Sequence, residues 1–112
     1  SMSYIVKLTT RFKKKYKKLS KKYHSLEEDV DNVVSQLISN PFIGADLGNG
    51  VRKVRMAISD KGKWKSGGAR IITYVVKTDE ESGQVTLLTI YDKNEQETIS
   101  QKEINALLTE IG

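Results

Sequence analysis

The chain lacks cysteine and has a single histidine, His24, among its 112 residues. The absence of cysteine excludes a disulfide framework, a cysteine-ligated zinc site, an iron–sulfur cluster and a thiol nucleophile. One histidine is too few for a histidine-rich metal centre or for catalysis by two imidazoles. We therefore expect no metal site and no other cofactor.

Long hydrophobic runs are also missing. No apolar run approaches the roughly 18 residues that a membrane span needs, and the N-terminus has no apolar core of a signal peptide. The composition, 38% hydrophobic and 29% charged, is typical of one globular domain. We expect a cytoplasmic protein without membrane contact, with one domain over residues 2–112 and with Ser1 as a tag remnant.

Charges of opposite sign are separated along the chain, whose net charge is +5. Residues 1–24 carry nine basic residues and no acid, and residues 25–50 carry five acids and no base. Residues 51–70 carry seven bases and one acid, whereas residues 71–112 carry three bases and eight acids. If the fold brings the two basic blocks together, their face favours a polyanion such as a nucleic acid.

Two helices are predicted before the only proline. Apolar residues recur at helical spacing from Phe12 to Tyr23 with lysines at most other positions, after an N-cap signal at Thr9-Thr10. Ser25-Leu-Glu-Glu28 is a capping-box pattern that opens a second helix. Asn40-Pro41 ends it, because a residue before proline avoids helical geometry. The short link between the helices predicts an antiparallel helical hairpin.

Strand signals flank this hairpin and continue after it. The β-prone segments are residues 3–8, 51–58, 69–77 and 85–91. Residues 42–50 and 60–68 are rich in glycine and predict loops, and Ser100-Gln-Lys-Glu103 is a capping box for a C-terminal helix. The order β-α-α-β-β-β-α predicts an α+β domain. The last three strands form an antiparallel meander with the first strand at one side, packed against the helical hairpin and the C-terminal helix.

Four segments in this order resemble the RelE/ParE superfamily of type II toxin–antitoxin toxins, in particular its HigB-like branch. They are Asn40-Pro41, Gly50–Arg55, Ser66–Ile72 and Leu87–Glu95. The resemblance covers essentially the whole chain and implies a RelE-like fold. It also implies a small basic ribonuclease that cuts mRNA in the ribosomal A site. Such a toxin is neutralised by a helix-turn-helix antitoxin, and we expect a monomer when free and a hetero-oligomer with the antitoxin.

Cleavage of RNA without a metal needs a base for the 2′-OH, cations for the phosphorane and an acid for the departing oxygen. Arg70 matches the family's arginine before the central strand and can hold a phosphate bidentately. Tyr91 and Lys93 lie in a Tyr-x-Lys-Asn-Glu pattern, where the tyrosine can stack on a base or transfer a proton and the lysine can donate to the leaving group. Lys65 is a further candidate for proton transfer. Because no basic residue follows Lys93 before Lys102, the division of acid and base roles stays open.

Basic residues also alternate with a tryptophan in the second glycine-rich loop, a pattern that suits single-stranded RNA because lysines contact phosphates and the indole stacks on bases. The expected RNA-binding residues are Arg52, Lys53, Arg55, Lys61, Lys63 and Trp64. The lysine-coated first helix suits docking on the ribosome, a dense phosphate surface. The expected docking residues are Lys13, Lys14, Lys17, Lys18 and Lys21.

Two other functions share most of these features. A toxin of the same fold in the ParE-like branch inhibits DNA gyrase without catalysis, and a basic nucleic-acid-binding domain needs no catalytic group. The presence of Arg70, Tyr91 and Lys93 together favours the nuclease, since an inhibitor needs no such cluster.

Overall fold

The computed structural model describes residues 3–62 and 67–111. Its order of elements is the predicted one with one strand added. The elements are β1 (Ser3–Leu8), α1 (Thr10–Lys22), α2 (Leu26–Ser39), β2 (Ala45–Gly48), β3 (Val51–Met56), a 3₁₀ turn (Ser59–Lys61), β4 (Ala69–Lys77), β5 (Ser82–Asp92) and α3 (Gln101–Ile111).

Strand β2 lies in a segment that the sequence predicted as a loop, and this part of the prediction is wrong. Gly48 pairs with Val51, so Asn49 and Gly50 form a two-residue hairpin turn. Both have positive φ angles, 55° and 84°, as tight hairpin turns with Asn-Gly require. Asn49 and Gly50 therefore mark the tip of a hairpin in this segment.

The five strands form one mixed sheet in the order β1-β5-β4-β3-β2. Strands β3, β4 and β5 form the predicted antiparallel meander. Strand β1 pairs with β5 in parallel, from Ser3 opposite Ser82 to Leu8 opposite Leu87. The parallel pairing is possible because α1 and α2 supply a long connection between β1 and the rest of the sheet.

Each face of the sheet has its own apolar cluster. On one face, α1 and α2 bury side chains such as Phe12 and Leu37 against Ile71, Leu87 and Ile90. On the other face, α3 buries Ile104 and Leu107 against Ile72, Leu88 and Tyr91. Residues 69–73 of β4 and 87–92 of β5 are therefore covered on both sides, which explains why apolar residues predominate there.

A β-bulge divides β5. Ile72 of β4 pairs with Thr89, but the next residue, Thr73, pairs with Leu87, so Leu88 is the extra residue. Leu87 and Leu88 accordingly pack on opposite faces, and beyond the bulge Tyr91 lies on the α3 face. The bulge thus determines on which face of the sheet each of the last β5 side chains lies.

Of the helix caps predicted from the sequence, those at Thr9 and Ser100 form and the one at Ser25 does not. The Thr9 hydroxyl accepts a hydrogen bond from the Phe12 backbone N–H at 3.0 Å, and Ser100 caps α3 through the N–H of Glu103; both predictions are confirmed. The capping role predicted for Ser25 is wrong. Its hydroxyl donates to the carboxylate of Asp29, on the first turn of its own helix, at 2.8 Å and accepts the N–H of Asp60, so it ties α2 to the 3₁₀ turn.

A buried ion pair closes the end of β5. Asp92 is 1% exposed and accepts hydrogen bonds from the Lys61 ammonium at 2.6 Å, the Tyr23 hydroxyl at 2.8 Å and the Asn94 N–H at 2.9 Å. Burial alone raises the pKa of the Asp92 carboxyl, but hydrogen bonds from Lys61, Asn94 and Tyr23 outweigh burial and lower this pKa below its usual value. The carboxylate therefore stays ionised inside the fold.

Replacing Thr9 with alanine should lower the free energy of unfolding by about 1–2 kcal/mol, because the first turn of α1 loses its cap. The same hydroxyl, in the residue that follows β1, also donates to the carbonyl oxygens of Leu87 and Leu88 in β5. Urea unfolding followed by circular dichroism measures the loss. Thr9→Ser keeps the hydroxyl and serves as the control; an equal loss in both variants would contradict this role.

The Asp92 carboxylate should make stability depend on pH. Because its folded pKa lies below the unfolded value of about 3.9, its contribution is present above that pH and is lost as the pH falls through the folded pKa. The difference in unfolding free energy between the unchanged chain and Asp92→Asn, measured in urea, should therefore narrow from pH 7 to pH 3. A constant difference across this range would show that the charge of Asp92 has no stabilising partner.

Candidate functional site

Three neighbouring strands place functional side chains in one row across the sheet. Arg55 of β3 lies opposite Arg70 of β4, and Arg70 lies opposite Tyr91 of β5. Residues directly opposite each other in an antiparallel pair point to the same face, with Cβ atoms about 4.5–5.5 Å apart. Two arginines side by side repel each other, so the row is suited to an anion that they share.

This row opens into a depression of about 660 Å³ at the end of the sheet. Its lining brings together three cations from three segments and two carboxylates from the turn after β5. The lining residues are Arg55, Gly67, Arg70, Lys93, Asn94, Glu95 and Glu97. The predicted site residues Arg70 and Lys93 thus meet, and Arg55, predicted as an RNA contact, joins them.

Arg70 is fixed in place but its charge is not neutralised. Its side chain is largely buried, and Nη1 donates to the carbonyl oxygens of Gly67 at 2.6 Å and Ala69 at 3.1 Å. Within residues 3–62 and 67–111, neither Arg70 nor Arg55 forms an ion pair with a carboxylate. A guanidinium held by neutral carbonyls keeps its positive charge and further donors for a bound anion.

Lys93 is placed by the turn that follows β5. Its ammonium donates to the carbonyl of Glu97, and its backbone N–H donates to the carbonyl of Gly68 at 3.0 Å. Gly67 lies against the Lys93 side chain, where an added Cβ would come within 2.9 Å of Cγ, and its φ of +97° disfavours other residues. A glycine is therefore required beside the lysine.

Tyr91 lies in the row but is covered. The residue is 6% exposed and packs with Ile104 and Leu107 of α3. Burial raises the pKa of its hydroxyl, and the charge of Arg70 partly opposes that rise. The hydroxyl has no hydrogen-bond partner among the described residues. The hydroxyl is itself buried, so in this conformation neither the hydroxyl nor the ring face is presented to a substrate, and stacking on a base does not fit.

The basic residues of β3 divide between the two faces. Lys53 shares the face of Arg55, two residues along the strand, and is half-buried. Arg52 points to the opposite face, where its guanidinium donates to the carbonyls of Ile43 at 3.2 Å and Gly44 at 2.9 Å. In this structure the Arg52 side chain holds the segment before β2, and its contact with RNA stays a prediction.

Lys61 also differs from its prediction. Its side chain is 5% exposed and its ammonium is bound to Asp92, so it is not presented to RNA. Sequence reasoning missed Asp92 because one acid at the end of an apolar run gives no sign of its distant partners. Lys63, Trp64 and Lys65, the other predicted loop residues, lie outside the described residues.

The lysines of α1 lie on the surface, as the docking prediction requires. All five predicted docking residues, Lys13, Lys14, Lys17, Lys18 and Lys21, are exposed. Four α1 lysines, Lys15, Lys18, Lys21 and Lys22, line a second depression of about 510 Å³ beside Tyr91 and Gln96. Lys22 also forms an exposed ion pair with Glu95 at 3.3 Å.

The described part of the chain offers neither a metal centre nor a membrane span. In residues 3–62 and 67–111, no three histidine, aspartate or glutamate side chains are arranged to hold a metal ion. In the same ranges, no helix has both the length and the apolar character needed to cross a membrane.

Known proteins share this sequence pattern and this fold. The sequence model described as "RelE toxin of RelE / RelB toxin-antitoxin system" matches residues 7–110. The fold is similar to that of a double arginine-to-alanine mutant of the E. coli toxin RelE in the free state, with a TM-score of 0.59 and 18% identity over 86% of this chain and 90% of that one. The resemblance to RelE toxins and the RelE-like fold are thereby confirmed, while the HigB-like branch stays a prediction. This chain belongs to the RelE toxin family.

Proposed function

We propose that this toxin is a ribosome-dependent endoribonuclease that cuts mRNA in the A site without a metal. The observation that carries the proposal is the depression in which Arg55, Arg70 and Lys93 converge while both guanidinium groups lack a carboxylate partner in the described residues. Membership of the RelE toxin family supports the same function.

The chemistry assigns one task to each group. The ribose 2′-OH attacks the adjacent phosphorus, forming a 2′,3′-cyclic phosphate and releasing the 5′-oxygen of the next nucleotide. Arg70 and Arg55 hold the non-bridging phosphate oxygens, whose negative charge grows in the transition state. Lys93 donates a proton to the departing oxygen. Lys65 and Tyr91 remain the proposed groups for removing the 2′-OH proton, and for Tyr91 this role requires a conformation that exposes its buried hydroxyl.

The proposed partners follow from charge and family. The exposed lysines of α1 contact the phosphate backbone of ribosomal RNA, which adds affinity without sequence readout. An antitoxin of the helix-turn-helix type neutralises the toxin, which acts in the cytoplasm, where the ribosomes are, and is a monomer when free. Lys53, beside Arg55 on the same face, contacts the mRNA backbone next to the cleaved phosphate.

Combining Arg70→Ala with Lys93→Ala should reduce cleavage of ribosome-bound mRNA by more than about 100-fold, because the developing charge loses its donors. Primer extension on mRNA from purified ribosome complexes measures the cuts. Lys77→Ala removes an exposed cation at the far end of β4 and is the matched control.

The same experiment separates the alternatives. A folded double variant that cleaves as well as the unchanged chain would refute the proposed site. Growth arrest by the unchanged chain with intact mRNA and gyrase-dependent DNA breaks would instead identify a ParE-like inhibitor. Nucleic-acid binding with neither effect would identify a binding domain without catalysis.

Reversing Lys14, Lys17 and Lys21 to glutamate should weaken co-sedimentation with ribosomes and make it less sensitive to salt. For each phosphate that the variant no longer neutralises, the slope of log affinity against log salt concentration should fall by about 0.7–0.9. The control reverses Lys77 and Lys102, which are exposed and lie outside α1. An unchanged slope in the α1 variant would show that these lysines are only solvated.

A further inference from the structure

The buried ion pair of Asp92 and Lys61 joins parts of the chain that also hold the candidate site. The Asp92 side chain has no exposure and the Lys61 side chain only 5%. Replacing such a pair with apolar residues is often neutral or even stabilising, because two buried charges lose their hydration. A net gain in stability over an apolar pair is therefore not needed to explain the two charges, and their connections point to a second role.

The first connection runs through Lys61 to the segment before β4. The Lys61 ammonium, held by Asp92, is also 3.4 Å from the carbonyl oxygen of Gly68. The same carbonyl accepts the backbone N–H of Lys93 at 3.0 Å. Gly68 is thus fixed from two sides, by the partner of Asp92 and by the residue that follows Asp92.

The second connection runs from Gly67 to the phosphate-binding groups. The Gly67 carbonyl accepts a hydrogen bond from Nη1 of Arg70 at 2.6 Å, and Gly67 lies directly against the Lys93 side chain. A displacement of residues 67–68 therefore moves the acceptor of Arg70 and the surface on which Lys93 packs. The places of both cations in the depression therefore depend in part on these two glycines.

The third connection is local to Asp92. Its Oδ1 accepts the Asn94 N–H at 2.9 Å, and its carbonyl accepts the N–H groups of Glu95 and Gln96. These bonds shape the turn that carries Lys93. The carboxylate oxygen that holds Lys61 therefore also fixes the start of this turn.

We propose that Asp92 is a positioning residue: through Lys61 and the Asn94 N–H it holds residues 67–68 and the turn after β5, and so aligns Arg70 and Lys93 for the phosphate. The proposal rests on the proposed function for the identity of the bound group. Asp92 itself, being fully buried, does not touch the substrate.

The test removes both buried charges together. Lys61→Met with Asp92→Asn leaves no unpaired buried charge, so the chain should still fold and melt cooperatively. The kcat for cleavage of ribosome-bound mRNA should fall about 10- to 100-fold, as expected for a small misplacement of binding groups, with little change in KM. Arg11→Gln with Glu110→Gln removes an exposed ion pair with a 2.9 Å contact and is the matched control, with unchanged kcat.

A second measurement does not depend on activity. Because Nη1 of Arg70 is held by two carbonyls, its protons should give separate resonances in low-temperature NMR spectra, assigned with Arg70→Lys. We expect these resonances to merge in the Lys61/Asp92 double variant and to stay separate in the Arg11/Glu110 control. Should the double variant fail to fold, Lys61→Gln with Asp92→Asn also leaves no unpaired buried charge, keeps two polar side chains of similar size, and should give the same changes at smaller amplitude.

The outcomes are distinct. A folded Lys61/Asp92 variant that keeps separate Arg70 resonances, or keeps the kcat of the unchanged chain, would overturn the positioning role. If the unchanged chain and the control variant both fail to cleave, the proposed function fails. The Arg70 resonances then still decide whether Asp92 positions the arginine.

Discussion

Burial of the second half of β5, residues 87–92, is the constraint on which the rest of this structure depends. This part of the strand pairs with β4 and lies between the two apolar clusters of the sheet, and each of its residues is buried. Inside such a strand a polar side chain has no access to water and needs a partner. Polar chemistry is therefore confined to the place where the strand ends, and Tyr91, Asp92 and Lys93 follow one another there.

The constraint also separates the two charged residues at this end. Asp92 is enclosed and must be neutralised, which brings the Lys61 ammonium into the interior. Lys93 lies one residue further, in the open turn, and needs no carboxylate partner. Lys93 does not pair with its neighbour in sequence because Asp92 is bound to Lys61 inside the fold.

The sequence was most informative where structure is decided locally. Helical periodicity, the Thr9 cap and the proline after Asn40 define α1 and α2 without knowledge of the sheet. The cap predicted at Ser25 was wrong because a more distant segment, the 3₁₀ turn, competes for its hydroxyl. A local pattern cannot reveal a competitor 35 residues away.

The types of residue in the candidate site could be predicted from the sequence, but only some of the individual residues could. Arg70 was predicted from its match to the family's arginine before the central strand, and strand alternation places Arg55 and Lys53 on one face. The positions of the Arg52 and Lys61 side chains depend on hydrogen-bond acceptors in other segments. These acceptors are the carbonyls before β2 for Arg52 and the Asp92 carboxylate for Lys61. No spacing along the chain indicates which cations these acceptors bind.

Because of the bulge at Leu88, the pairing of β4 with β5 determines on which face of the sheet a charged side chain lies. If the pairing of Thr73 with Leu87 continued without the extra residue, Ile90 would lie opposite Arg70, and Tyr91 and Asp92 would exchange faces. A carboxylate would then stand on the arginine side of the sheet and an aromatic ring beside the Lys61 ammonium. The face of the sheet on which a carboxylate lies at this end of the molecule is therefore set by a one-residue offset between two strands, at constant composition.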